Sequence, residues 1–258
     1  MRTPSDVSET RSLSRAAALL RLLGGHGQVG WRLTDLSEHS GLEPETVHRL
    51  LRGLAGEGLV TRVPGSRRYA LGPAAFHAGL AAGPWFDVDR IAARPLRALA
   101  TALGGTVFVK VRCGTDSVCI ARHDAAVPSA ALLLEVGGRR PLCVTAGGVA
   151  ILIALPRDAQ RLIEASNARA IATLGRPVRA GARRMLARSR RVGAGVNLGD
   201  IVPGIVALGV AVPAPVPVAS LTLGLADSEL DEAAAAPRIA CLRAAAAELA
   251  AAFARLRY

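Results

Sequence analysis

The stretch Leu42-Glu43-Pro44-Glu45-Thr46-Val47-His48-Arg49-Leu50-Leu51 decides how the first quarter of the chain folds. Val47, Leu50, Leu51 and the later Leu54 recur at i, i+3, i+4, i+7, which sets them on the core-facing side of one helix. Pro44 suits the first helical position, where its missing N–H costs nothing, and Glu45 complements the positive helix end. Glu45, Thr46, His48, Arg49 and Arg52 then project from the other surfaces.

Upstream, Gly41 makes a turn, and a short helix runs from an N-cap at Thr34 through Leu36 to Ser40. Before it, Leu13, Ala16, Ala17, Leu20 and Leu23 follow helical spacing until Gly24-Gly25 ends the run. Downstream, Gly56 and Gly58 end the third helix. Leu59 to Val63 reads as a strand, Pro64-Gly65 as a turn and Arg67 to Leu71 as the returning strand. A helix pair joined by a Gly turn, followed by a basic hairpin, describes a winged helix-turn-helix. Phosphate contacts from Arg52, Arg67 and Arg68 would position such a module. Thr46, Arg49 and Glu45 would read base edges, with Thr34 and His48 beside them. Spacing alone leaves two other readings open: a winged helix used for protein contact, and a three-helix piece of an ordinary α/β domain.

Charge does not single out this module. The chain of 258 residues carries net +12, but residues 1–72 hold ten Arg against seven acidic residues, so most of the excess lies elsewhere. The densest basic stretch, Arg176 to Arg191, has seven Arg and no carboxylate. It reads as a solvated helix face or as the seat of an anionic partner. Lys110 is the single lysine among the basic residues.

Cys113, Cys119, Cys143 and Cys241 form no CxxC pair and have no His at metal-ligand spacing, so neither a metal nor another cofactor is expected. With no secretory signal in view, reduced thiols in a cytoplasm follow. A cysteine enzyme built on Cys113, Cys119 or Cys143 near His123 is the catalytic alternative. Free cysteine in apolar strands is more often packing. No Ser-His-Asp motif or phosphate loop supports catalysis. The charge-free run from Ile201 to Ala226 imitates a membrane span, but Pro203, Gly204, Gly209, Pro213, Pro215 and Pro217 interrupt it. Two buried strands joined by a Pro-rich turn fit better.

The rest of the chain reads as follows. Residues 73–90 form a linker helix broken at Gly83-Pro84, with Trp85-Phe86 packing there. Ile91 to Leu103 is an amphipathic helix. Thr106–Arg112 and Ser117–His123 pair across a turn at Gly114-Thr115-Asp116. Leu142 to Leu155 is a loop entering a buried helix. Ile205–Val212 and Val218–Leu225 are central strands, and an Ala-rich helix spans Pro237 to Leu256. The class is α+β, with a winged helix over 1–72, a linker over 73–90 and a second domain over 91–258.

The quoted stretch resembles the recognition helix of IclR-type regulators, G-L-x-x-x-T-V-x-R-L-L. Glu57-Gly58-Leu59-Val60 and Arg68-Tyr69-Ala70-Leu71-Gly72 are similar to that family's wing, which ends in Y-x-L-G. Val136-Gly137-Gly138-Arg139-Arg140-Pro141-Leu142-Cys143-Val144-Thr145-Ala146-Gly147-Gly148 resembles V-G-x-x-x-P-L-x-x-T-A-x-G, with Val149 where a Lys usually follows. Arg191-Val192-Gly193 through Asn197 to Gly204 resembles R-x-G-[YF]-x-x-[ND]-x-E-x-x-x-G. Here Ala194 replaces the aromatic and Asp200 lies near the usual Glu. The likeness spans about residues 12–256, with gaps near 85–130 and 155–185.

The resemblance implies a homodimer, often a dimer of dimers, on palindromic double-stranded promoter DNA. It also implies a GAF-like effector domain with an antiparallel sheet flanked by helices, responding to a small organic or aromatic acid. Its ligand would sit between the sheet and the helix entered through T-A-x-G, where free N–H groups suit a carboxylate. Carried over by position, the lining is Ala146 and Gly147 by backbone, then Asn197, Ala207, Thr222 and Gly224. Asn197 stands where some members have an acid, and Ala207 and Gly224 stand where some have a thiol and a hydroxyl. The Pro213-to-Pro217 turn lacks the usual D-x-x-G. An aromatic or otherwise hydrophobic effector, or a degraded pocket, is therefore expected.

Overall fold

The computed structural model describes residues 4–25, 30–82, 88–125, 134–215, 218–226 and 230–254. The chain divides into two compact units, Met1–Pro84 and Trp85–Tyr258.

In the first unit, α1 (Pro4–Gly24), α2 (Leu33–Ser40) and α3 (Pro44–Gly56) pack together. The strands β1 (Trp31–Arg32), β2 (Val60–Arg62) and β3 (Arg68–Leu71) form a small antiparallel sheet in the order β1-β3-β2. The core joins Leu19 and Leu23 of α1, Leu36 of α2, and Val47, Leu51 and Leu54 of α3 to Trp31 and Val60. Burying each large side chain contributes about 2 kcal/mol. The expected α3 stripe is therefore the one that packs, with Leu50 half-buried against it. Three expectations are corrected. The first helix starts nine residues before Leu13, at Pro4. Leu13 is 73% exposed, because the buried stripe of α1 passes through Leu19 and Leu23 instead. Arg32, not Thr34, is the N-cap residue of α2, so Thr34 lies in its first turn, where its hydroxyl donates to Asp35 Oδ1 at 3.1 Å. The last element of the unit, α4 (Pro73–Ala82), has no fully buried residue.

In the second unit, β4 (Thr106–Cys113), β5 (Asp116–His123), β6 (Arg139–Pro141), β7 (Gly195–Leu198), β8 (Ile205–Ala211) and β9 (Ala219–Ala226) make one antiparallel sheet, ordered β6-β5-β4-β9-β8-β7. The charge-free run thus becomes the neighbouring pair β8 and β9, registered Leu208↔Leu223. Alternate residues of the strands, among them Val107, Val109, Val196, Leu208, Leu221 and Leu223, face α5 (Val88–Leu103) and α9 (Glu232–Ala254), whose Leu96, Ile239 and Leu242 complete the main core. The other face receives α6 (Ala146–Ala154), entered through a 3-10 turn at Leu142–Val144. Outside α6 lie α7 (Arg157–Ala172) and α8 (Arg176–Val192), with a second apolar cluster of Leu142, Ile151, Leu152, Ile163 and Ala182.

Two starting points shift here as well. Asp116 belongs to β5, leaving Gly114-Thr115 as a two-residue hairpin turn with Gly114 at φ +67. The last helix begins before Pro237, at Glu232, because Asp231 caps it: its Oδ1 accepts from the Ala234 N–H at 2.7 Å. The breaks at Gly83-Pro84, the Trp85-Phe86 packing and Pro217 of the Pro-rich turn fall outside the described residues.

Candidate functional site

Two surfaces carry chemistry, one in each unit. In the first, the α2–α3 turn is built locally. Gly41 adopts φ +66, a left-handed conformation that costs glycine nothing, and its N–H donates to Ser37 O at 3.0 Å. Ser37 Oγ donates to Leu42 O at 2.6 Å, and the Leu42 N–H donates to Ser40 Oγ at 3.3 Å. Pro44 then opens α3. With Val47, Leu51 and Leu54 held in the core, Glu45, His48, Arg49 and Arg52 stand exposed and Thr46 half-buried. Among the described residues none of these five side chains has a hydrogen-bond or ion-pair partner.

The wing closes between β2 and β3. The Val63 N–H donates to Arg68 O at 2.9 Å, and Gly65 turns the chain at φ +69. Arg67 is exposed at this turn. Arg68 is half-buried and donates from Nη1 to Gly30 O at 2.9 Å, so it also ties the wing to the strand before it. Two features escaped the sequence reading. Strand β1 is only two residues long, too short for any periodicity. Arg62 is exposed on β2, opposite Tyr69 of β3, and its signal was a second arginine in the basic hairpin beside Arg67 and Arg68.

In the second unit, α6 lies directly on the sheet. Side chains at Gly195 and Gly209 would strike the Ala146 backbone, so these two glycines let the helix start sit on β7 and β8. Thr145 caps α6, its Oγ1 accepting from the Gly148 N–H at 3.0 Å. The N–H groups of Ala146 and Gly147, in the first turn, are left without a helical partner. A methyl group on Gly147 would strike the Thr222 hydroxyl and stand 2.7 Å from Ser220 Oγ and 3.3 Å from Lys110 Cδ. The helix start therefore overlies Lys110 of β4 and Ser220 and Thr222 of β9.

Of the six residues carried over, Ala146, Gly147, Thr222, Ala207 and Gly224 lie on the sheet face or helix start just described. Ala207 pairs with both Asn197 and Gly224 across the strands. Asn197 is committed to its own turn: Nδ2 donates to Ile205 O at 3.2 Å and Oδ1 accepts from the Asp200 N–H at 2.9 Å. Asp200 is buried beside it, bonded by Arg184 at 3.1 Å and Arg188 at 2.5 Å. Burial pushes the Asp200 carboxyl up, but Arg188, the Leu198 N–H and Arg184 outweigh it and hold it below the ordinary range. The basic stretch of α8 is thereby partly internal. Arg184 and Arg188 anchor the β7–β8 turn and Arg190 pairs with Glu164 at 2.6 Å, while Arg176, Arg179 and Arg183 remain exposed.

The two buried cysteines are held as thiols. Burial pushes the Cys143 thiol up to about 12 and raises Cys119 as well. Among the described residues no three His, Cys, Asp or Glu side chains cluster as metal ligands. No helix among them is long and apolar enough to cross a membrane.

A winged helix joined to a sheet-and-helix domain defines the class of two-part regulators, and comparison with known proteins sharpens it. Residues 12–64 match the IclR helix-turn-helix domain, and residues 85–251 match the C-terminal domain of bacterial transcriptional regulators of the IclR type. The chain belongs to the IclR family of transcriptional regulators. This is a family of regulators, not of enzymes. A glycerol operon regulatory protein of Streptomyces griseus is 35% identical over 162 residues, 61% of each chain. The match thus spans somewhat under two thirds of that relative's length. The crystal structure of an IclR-type regulator from a Silicibacter species superposes with a TM-score of 0.76 at 24% identity, covering 94% of this chain and 96% of that one. An IclR homologue of Microbacterium hydrocarbonoxydans, solved with 4-hydroxybenzoate, has a TM-score of 0.66 at 17% identity, covering 95% and 99%. These likenesses establish the α+β fold with its winged helix and antiparallel sheet.

Proposed function

We propose that the chain binds promoter DNA as a homodimer or dimer of dimers, in the cytoplasm, and changes that binding on taking up a small organic effector. One observation carries the DNA reading. The apolar side of α3 is locked in the core while Glu45, His48, Arg49 and Arg52 stand exposed with no intramolecular partner among the described residues. Thr46 and Arg49, with Glu45, read base edges. Arg52 and Arg67 hold phosphates, with Arg68, Thr34 and His48 at the margins. The second unit supplies the effector site, lined by Ala146 and Gly147 through their backbone and by Asn197, Ala207, Thr222 and Gly224. The homologue solved with 4-hydroxybenzoate favours an aromatic acid as effector.

Fluorescence anisotropy on DNA adjoining the protein's own gene, across a salt series, tests this. Specific binding that weakens steeply with salt is expected. Arg49→Ala should lower affinity for the specific site about 10- to 100-fold while sparing non-specific binding. Unchanged promoter affinity in Arg49→Ala would reject α3 as the reading helix. Calorimetry with 4-hydroxybenzoate, glyoxylate and pyruvate tests the effector. Tight binding of glyoxylate or pyruvate would reject an aromatic or hydrophobic ligand.

A further inference from the structure

Beneath the start of α6 lies a cation with no acid to pair it. Lys110, in the middle of β4, is 4% exposed. Among the described residues it has no carboxylate partner and no hydrogen bond. Its ammonium lies 6.0 Å from the centroid of the Phe108 ring. The charged and titratable neighbours from the packed strands do not compensate it. Cys119 stands opposite on β5 with its thiol raised by burial, Arg140 of β6 adds a like charge, and Arg122 of β5 is already bonded to Asp124. An unpaired buried charge is costly, and one is kept only where something offsets it.

Three hydroxyls share the predicament. Ser117, Ser220 and Thr222 are 2%, 0% and 2% exposed, and their oxygens have no partner among the described residues. Ser220 registers with Lys110 across β4 and β9, Thr222 follows two residues on, and Ser117 lies two residues from Cys119 on β5. All therefore point to the face that α6 covers. The Ala146–Gly147 backbone lies over the same spot, since a side chain on Gly147 would strike Thr222 Oγ1 and meet Ser220 Oγ, and the N–H groups of this first turn have no helical partner. Every free group here can donate: one ammonium, three hydroxyls and two amides. One positive charge surrounded by donors complements a group that only accepts and carries a single negative charge, which is a carboxylate.

We propose that Lys110 is the counter-ion of the effector's carboxylate, with Ser117, Ser220, Thr222 and the Ala146–Gly147 amides completing its recognition. The proposal rests on the effector-responsive reading above. It narrows the ligand to an acid, and assigns the apolar part of that ligand to the side of Phe108, Ala207 and Gly224.

Because Lys110 is the chain's single lysine, protein grown on 13Cε-labelled lysine gives one side-chain signal, which reports on this ammonium alone. The full-length protein is titrated with benzoate, 4-hydroxybenzoate, phenylacetate, glyoxylate and pyruvate, and in parallel with 4-hydroxybenzamide and glycerol 3-phosphate. At least one carboxylate should shift the signal saturably and raise the pH at which it titrates, while the neutral amide leaves it in place. In Lys110→Met that acid should bind about 30-fold or more weakly by calorimetry. A signal unmoved by every carboxylate up to about 10 mM, weaker than a specific site of this kind would bind, would overturn the proposal. So would a preference for the amide or the phosphate ester, or undiminished acid binding in Lys110→Met. If carboxylates bind through Lys110 but promoter affinity does not respond, the anion site stands and the regulatory reading falls.

Discussion

The outer face of α3 and the inner face beneath α6 are both sets of polar groups without partners, yet physics treats them oppositely. On α3, Arg49 and Arg52 are exposed and water satisfies them, so leaving them free costs nothing. Beneath α6, Lys110, Ser220 and Thr222 are shut away from water with no partner among the described residues, and unmade hydrogen bonds there cost free energy. The first surface is ready for a large anionic partner that arrives from solution. On the reading proposed above, the second awaits a small anion that would pair its charge. A regulator needs both: a reading head indifferent to its own stability, and a sensor whose stability changes when the signal is bound.

The comparison breaks most sharply at Asp200. This carboxylate closes the β7–β8 turn against Arg184 and Arg188, so it is a buried charge that is fully paired. Asp200→Ala removes the carboxylate that Arg184 and Arg188 share and should destabilise the second unit by about 3–5 kcal/mol. Urea unfolding should show that loss in the second unit, with the winged helix unaffected. The Asp200 carboxyl titrates below the ordinary range when folded. Its stabilisation is therefore fully present above the unfolded carboxyl pKa and is lost as pH falls through the folded one. The variant should show a flatter acid limb than the wild type. Equal acid limbs would mean that Asp200 is not a paired charge in solution.

Lys110 sharpens the contrast, because its removal should help the free protein. Burial holds its ammonium at about 8, against an ordinary 10.5. Between those values the unfolded chain binds more protons than the folded one, so stability rises with pH. The burial penalty is full below about 8 and gone above the ordinary value. Lys110→Met, of similar volume, should raise stability at neutral pH by about 1–3 kcal/mol, and the gain should vanish in alkaline buffer. A gain in stability coupled to a loss of effector response separates a ligand-binding lysine from a structural one. A destabilised Lys110→Met at neutral pH would count against a buried charge that lacks a counter-ion.

The two surfaces also differ in how far a sequence betrays them. The α3 stripe of Val47, Leu51 and Leu54 follows from periodicity, and the exposed face is its remainder. The β4–β5 hairpin and the charge-free pair β8–β9 follow from alternation and turn residues in the same way. Lys110, Ser117 and Ser220 were missed for a physical reason. In Thr106-Val107-Phe108-Val109-Lys110-Val111-Arg112 the polar residues alternate with apolar ones, which is the pattern of a strand with one wet face. That face is dry only because α6 covers it, and no local pattern encodes a covering helix. The available signal was compositional: one lysine where arginine does every other basic task, and Ser220 and Thr222 two apart in a run without charge. Thr34, Leu13 and the start of the last helix went astray for the opposite reason. Local signals were followed where a residue nearby, Arg32, Leu19 or Asp231, does the work.

The smallest expected effect concerns the wing, where Arg67 and Arg68 look alike in sequence and differ in the fold. Arg67 is exposed, whereas Arg68 spends a guanidinium N–H on the Gly30 carbonyl. Arg67→Ala should weaken specific and non-specific DNA alike, by less than about 1 kcal/mol at moderate salt, and lower the salt slope of binding by about one. Protein stability should not move, since a solvated side chain is deleted. Arg68→Ala should instead lower the melting temperature of the winged helix, because the tie between the wing and Gly30 is lost, with a smaller change in salt slope. Measured together by anisotropy and thermal unfolding, the pair tests the rule drawn from α3 and α6. A polar group already bonded within the fold serves stability, and only the unbonded one is free to serve the partner. If both variants change the slope equally and neither changes stability, Arg68 belongs with the DNA-facing groups and its bond to Gly30 is incidental.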